Sequence, residues 1–181
     1  GNPILAGDAG DGLSKAGRAY IAGIQKHMRE LTLLFAPNIN SYKRFQAGSF
    51  APTAIKWGRD NRTCALRLVG QGQSLRVENR VPGGDVNPYL AVAGMVAAGL
   101  SGIEENAELE PIFQGNAYAL ETDRVPTSLK EARDLWANSS WVRDTFGEDV
   151  QKHYTHMADT ELDAFGRAVT DWERFRSFER M

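Results

Sequence analysis

The chain has 181 residues, of which 42% are hydrophobic and 24% charged, with 21 basic and 23 acidic side chains and a formal net charge of −2. That length and balance fit one soluble domain with a sizeable core, and the near-neutral charge offers no overall field for nucleic acid or an anionic membrane. The single cysteine, Cys64, excludes an internal disulfide framework and a cysteine-rich zinc site, and leans towards a reducing compartment.

The opening GNPILAGDAGDG reads as a turn-rich loop, because it lacks the Gly-Lys-Ser/Thr ending of a phosphate-binding loop. No charged stretch followed by an apolar one opens the chain, so no secretory leader is expected, and the triplets Asn61-Arg62-Thr63 and Asn138-Ser139-Ser140 read as chance glycosylation matches. Ser14 predicts the cap of a helix running to about Leu33, with Ala16, Tyr20, Ile24, His27 and Leu31 near one face. His27 has no second histidine at helical spacing and reads as a packed or surface residue, not a ligand.

From Ala36 to Thr63 the chain is polar and contains Gly and Pro, interrupted by Tyr42, Phe45, Phe50 and Trp57. A loop of that length in a compact domain is usually functional or disordered, and the aromatics argue against disorder. Two strands are predicted next, Thr63 to Leu68 and Leu75 to Arg80. In the first, Cys64, Leu66 and Leu68 point one way while Thr63, Ala65 and Arg67 point the other. In the second, Arg76, Glu78 and Arg80 occupy every second position and so line one face.

Asn87 followed by Pro88 predicts a helix start, with the helix running to about Gly102. Its apolar run, Leu90 to Leu100, is too short to span a bilayer and reads as a tightly packed core helix. Beyond an irregular segment, Thr127 or Ser128 caps a helix with Leu129, Ala132 and Leu135 as its stripe. A last helix is expected from about Asp149 to Phe178, where His153 and His156 lack a third ligand and read as solvent-facing or packed. No repeat or linker marks a second domain.

A charged strand face is most often just a solvated face. Here the charges are dominated by arginine: Arg59, Arg62, Arg67, Arg76 and Arg80, with Lys43 and Arg44 just before. Guanidinium suits bidentate contact with carboxylate or phosphate, and Mg²⁺ is commonly held by carboxylates together with substrate phosphates. The residues alone therefore suggest a site for a phosphorylated or carboxylated ligand with a divalent cation, with Glu78 as a metal ligand.

The motifs Asn40-Ser41-Tyr42-Lys43-Arg44, Ala51-Pro52, Asn61-Arg62 with Arg67, Arg76-x-Glu78-x-Arg80 and Asn87-Pro88-Tyr89-Leu90 resemble the glutamine synthetase family in order and spacing. Gly12-Leu13-Ser14 and Ile21-Ala22-Gly23-Ile24 match the helix before them. The resemblance implies an α+β fold, the C-terminal part of that family's catalytic domain over residues 1–181, with antiparallel strands packed against several helices. It implies that Arg44 and Arg80 bind the carboxylates of glutamate and that Arg62 bridges glutamate and nucleotide. Arg67 and Arg76 would face the phosphates of ATP, and Glu78 would ligate Mg²⁺ or Mn²⁺. The implied reaction phosphorylates the glutamate γ-carboxylate and lets an amine attack the acyl phosphate. The full-length protein would be a cytoplasmic homo-oligomeric ring acting on glutamate and a small amine.

Two departures qualify this. Glutamine-forming members carry Gly-Tyr-Glu-Ala-Pro where this chain reads Gly48-Ser49-Phe50-Ala51-Pro52, so Phe50 replaces a glutamate that helps deprotonate ammonium. With Arg44-Phe45-Gln46, Glu78-Asn79-Arg80-Val81-Pro82-Gly83 and Thr170-Asp171-Trp172-Glu173-Arg174, this resembles the branch joining glutamate to polyamines or ethanolamine. The family's upstream metal ligands also have no counterpart here, so the chain as given is expected to be inactive. The alternatives are a glutamine synthetase using ammonia and a non-catalytic scaffold. Tyr118 falls near a tyrosine that some relatives adenylylate, and reads as an ordinary loop residue.

Overall fold

The structure, a computed structural model, describes residues 3–178, so both ends of the 1–181 span lie outside the described residues. The Ser14 hydroxyl accepts the Gly17 amide at 2.8 Å and opens α1 (Lys15–Phe35). The Asn87 side chain accepts the Tyr89 and Leu90 amides at the start of α2 (Pro88–Glu104). These helices meet along a glycine seam. A methyl added at Gly23 would lie 2.8 Å from the Gly102 Cα, one at Gly102 would lie 2.7 Å from the Gly23 Cα, and one at Gly99 would overlap the Tyr20 ring. Backbone thus packs on backbone, and Ile24, Met28, Leu31 and Phe35 are fully buried beside the seam. The opposite face of α2 leaves Tyr89, Val92, Val96 and Leu100 exposed, so this helix is apolar on both sides.

Three strands, β1 (Ala54–Arg59), β2 (Cys64–Val69) and β3 (Arg76–Asn79), form one sheet in that order. β1 lies inside the stretch expected to be loop. Its Ala54, Ile55, Trp57 and Gly58 are all buried, so the strand shows no polar alternation. β2 and β3 pair antiparallel as expected, but β1 pairs with β2 in parallel, which makes the sheet mixed. The connector, residues 60–63, is far shorter than the usual parallel crossover. Asp60 takes a left-handed φ of 47°, and the Asn61 side chain accepts the Thr63 amide at 3.0 Å.

The C-terminal part is helical: α3 (Leu129–Asn138), α4 (Ser140–Phe146), α5 (Glu148–Arg167) and α6 (Asp171–Phe178). Ser128 is the cap of α3, its hydroxyl accepting the Glu131 amide at 3.2 Å, and the Glu131 carboxylate reaches back one residue further to accept the Thr127 amide at 2.9 Å. Trp136 and Gln151 tie α3 to α5 reciprocally, indole to backbone at 3.0 Å and amide to backbone at 2.8 Å. The single helix expected from Asp149 to Phe178 is two. Thr170 and Glu173 form a capping box that restarts the chain as α6. His27 is packed: it is buried, stacks on Trp141 at 3.7 Å and pairs with Glu30. No described helix is long and apolar enough to cross a membrane.

Candidate active site

The antiparallel register of β2 and β3 sets Arg67 directly opposite Glu78. Leu66 and Leu68 are buried on the core side, so strand alternation sends Arg67, Glu78 and Arg76 to the other face. There Arg67 Nη1 donates to Glu78 Oε2 at 2.9 Å, and Arg80 Nη1 donates to Glu78 Oε1 at 2.7 Å. Both carboxylate oxygens are thus engaged by guanidinium. Arg80 lies just past β3, yet its amide donates to the Ala65 carbonyl at 2.9 Å and keeps it aligned with the strand.

The Arg67 and Arg80 side chains are only 16% and 14% exposed. Charge-assisted bonds in such a half-sheltered network hold geometry better than an isolated surface pair does. Arg80 Nη2 also donates to the Phe50 carbonyl at 2.9 Å, and Arg67 Nε donates to Asp60 Oδ1 at 2.9 Å. The Arg67 hydrogen bond holds the Asp60 carboxyl below the usual carboxylate range, and Asp60, with Glu78 behind it, pushes the Arg67 guanidinium up.

The Phe50 loop is braced from several sides. The Ser49 hydroxyl lies 2.6 and 2.7 Å from the Arg44 and Gln46 carbonyls and shares its one hydrogen between them, and the Tyr118 hydroxyl donates to the Ala51 carbonyl at 3.0 Å. Phe50 itself has φ 62° and its ring is in the open. Tyr118 is therefore a structural prop of this loop.

Of the residues singled out from sequence, Arg67, Glu78 and Arg80 form one connected network with Phe50 hung on it. Arg44 ends the 3-10 turn Ile39–Arg44, donates to the Val81 carbonyl next to Arg80, and lies 4.6 Å over the Phe45 ring. Burial pulls its guanidinium down from the ordinary value, with Asp85 opposing. Arg76 shares the face of Glu78 but is exposed, with one bond to the Ser74 carbonyl at 3.3 Å. Arg62 is exposed on the Asp60 side and adds to the field on that carboxyl. Asp60 escaped the sequence reading; the signal for it was an aspartate, a residue tolerant of left-handed backbone, just before Asn61-Arg62.

The arginines fit an anion. Arg44 Nε and Arg80 Nε are buried N–H groups without a partner among the described residues. The described residues alone do not accommodate a divalent cation. Among the described residues no group of three or more His, Cys, Asp or Glu is placed to hold one, and Glu78 is a single carboxylate already engaged.

Residues 1–177 match the family described as glutamine synthetase, catalytic domain. The gamma-glutamylethanolamide synthetase of Streptomyces coelicolor is 62% identical over 172 residues, 95% of this chain and 37% of that protein. A glutamate–isopropylamine ligase of a Pseudomonas species is 36% identical over 181 residues, 97% of this chain and 39% of that one. The solved structure of ligand-free GmaS superposes with a TM-score of 0.86 at 30% identity, covering 96% of this chain and 41% of that chain. The chain spans about two-fifths of the length of the curated relatives it matches. With its α+β architecture and a family match over nearly its whole length, the chain belongs to the glutamine synthetase family.

Proposed function

We propose that this chain is the C-terminal part of the catalytic domain of an ATP-dependent ligase that joins the glutamate γ-carboxylate to a small amine, ethanolamine or a polyamine. The carrying observation is Phe50, an exposed phenyl ring on a loop anchored by Arg80, where glutamine-forming members have a glutamate. A phenyl ring neither takes a proton nor holds ammonium by charge, but it offers an apolar wall to an alkylamine. The names of the Streptomyces coelicolor and Pseudomonas relatives, an ethanolamide synthetase and an isopropylamine ligase, support the same reading.

In this reading Arg44 and Arg80 bind the glutamate carboxylates, Arg62 bridges glutamate and nucleotide, and Arg67 and Arg76 face the ATP phosphates. Cations oriented before the reaction offset the charge that develops on the transferring phosphoryl group without reorganising in the transition state. Glu78 would contribute one carboxylate to a Mg²⁺ or Mn²⁺ site whose other ligands are not among the described residues. The attacking amine is mostly protonated at neutral pH, with a pKa of about 10, so its proton leaves to a group other than Phe50. The whole protein acts in the cytoplasm as a homo-oligomer.

The test is glutamate-dependent ADP release by the full-length protein with ethanolamine, putrescine, spermine and ammonia. Turnover with an alkylamine above that with ammonia is expected. Ammonia as the best substrate would return the protein to the glutamine synthetases, and no release with any amine would leave a non-catalytic scaffold.

A further inference from the structure

The connector between β1 and β2 carries a carboxylate that the reaction above leaves without a role. Asp60 sits at φ 47°, its amide donating to the Leu68 carbonyl at 2.9 Å, and from there its side chain turns back over β2. One of its oxygens, Oδ1, accepts from Arg67 Nε at 2.9 Å and also from Nη2 of the same guanidinium. Glu78, on β3, takes Nη1 at 2.9 Å. Arg67 is therefore gripped along two edges by carboxylates from two different elements, and one N–H on each terminal nitrogen remains free in a fixed direction.

The Asp60 side chain is 70% exposed and makes no other hydrogen bond among the described residues. It fills no core space, so the Arg67 contact is what this side chain does. A guanidinium ends a long, flexible chain, and a ligand that had to order it would bind less tightly than one meeting a group already oriented. Glu78 alone would fix one nitrogen and leave the plane free to turn. Asp60 fixes the plane. Its own negative charge faces water, where repulsion of a phosphate is screened.

Resting on the reading of Arg67 as a phosphate-facing residue, we propose that Asp60 is a positioning residue for nucleotide binding, holding the Arg67 guanidinium so that its free N–H edge meets the ATP phosphates. Asp60 touches no reacting atom and acts through Arg67 alone. Its removal therefore weakens nucleotide binding and leaves glutamate binding in place.

The experiment compares wild type, Asp60→Ala, Asp60→Asn, Arg67→Gln and the Asp60→Ala/Arg67→Gln pair in the full-length protein. It reads KM for ATP, KM for glutamate and the calorimetric Kd for ADP. Asp60→Ala is expected to raise KM for ATP and Kd for ADP by roughly tenfold, with KM for glutamate moving less than about twofold. Asp60→Asn keeps an acceptor oxygen at the same place and should recover most of that loss. With Arg67→Gln already present, Asp60→Ala should add nothing, because the two act as one unit.

Unchanged or tighter ADP binding in Asp60→Ala would show a bystander or a competitor for Arg67 and overturn the assignment. So would an equal rise in KM for glutamate, or full additivity with Arg67→Gln. If Arg67→Gln itself left nucleotide binding untouched, the phosphate-facing reading of Arg67 would fall first. A loss on Arg67→Gln with none on Asp60→Ala would sink Asp60 alone. Should Asp60→Ala not fold, the same cycle with Asp60→Asn decides, expected to show a rise of about threefold in wild type and none beside Arg67→Gln.

Discussion

A single guanidinium, that of Arg80, joins the Glu78 carboxylate at 2.7 Å to the Phe50 main-chain carbonyl at 2.9 Å. The loop bearing Phe50 is thereby fastened to the same network that holds Glu78. Lysine offers one compact ammonium in place of a fork and cannot make both bonds in this geometry. Arg80→Lys should therefore loosen the loop, seen as at least about tenfold faster amide exchange over residues 46–51 of this chain. Unchanged exchange would mean that Ser49 and Tyr118 hold the loop by themselves.

Phe50→Glu in the full-length protein should raise the use of ammonia relative to ethanolamine, putrescine and spermine. The carboxylate would bind the ammonium cation and accept its proton, neither of which phenyl does. The quantity to follow is the ratio of kcat/KM values, since selectivity is a difference in transition-state binding, and about a tenfold change in that ratio is expected. If wild type already favours ammonia and the substitution leaves the ratio alone, Phe50 carries no specificity.

The seam between α1 and α2 leaves no room for a methyl group. In Gly102→Ala the new carbon would meet the Gly23 Cα at 2.7 Å, backbone against backbone, where no side chain can swing aside. The helices must separate, and a loss of about 3 kcal/mol is expected. Denaturant unfolding of this chain measures it, and a loss below about 1 kcal/mol would mean that the helices slide past each other freely.

Cys64 is fully buried, and burial pushes its thiol from 9.0 up to about 11. At pH 8 almost no thiolate exists in the folded chain, so a thiol reagent should label Cys64 only as fast as the protein unfolds. Because the folded chain holds this proton more tightly than the unfolded one, the contribution to stability is complete below pH 9.0 and is lost as pH rises towards about 11. Rapid labelling under native conditions would contradict the burial.

The faces of Arg67 and Glu78 were legible because a strand has period two, and the starts of α1, α2 and α3 because Ser14, Asn87 and Ser128 carry side-chain caps. β1 was hidden because its residues are buried on both sides, which erases the alternation that marks a strand. The break before α6 was hidden because Leu162, Phe165, Val169 and Trp172 continue a helical spacing straight across the Thr170 cap. Arg62 joined the candidate site through family resemblance alone, and its charge acts on Asp60, which Arg67 links to Glu78. Asp60 depends on a left-handed backbone and a partner seven residues away, neither of which a local pattern shows.

The two-sided character of α2 sets the handling of this chain in solution. One side is sealed by the glycine seam, while Tyr89, Val92, Val96 and Leu100 form a wet apolar stripe that no described residue covers. A second exposed apolar set lies at the C-terminal end, where Phe165, Val169, Trp172, Phe175 and Phe178 are also in the open. Polar replacements at Val92 and Val96 would remove the α2 stripe without disturbing the seam beneath, leaving the C-terminal aromatics as the apolar surface that still promotes clumping.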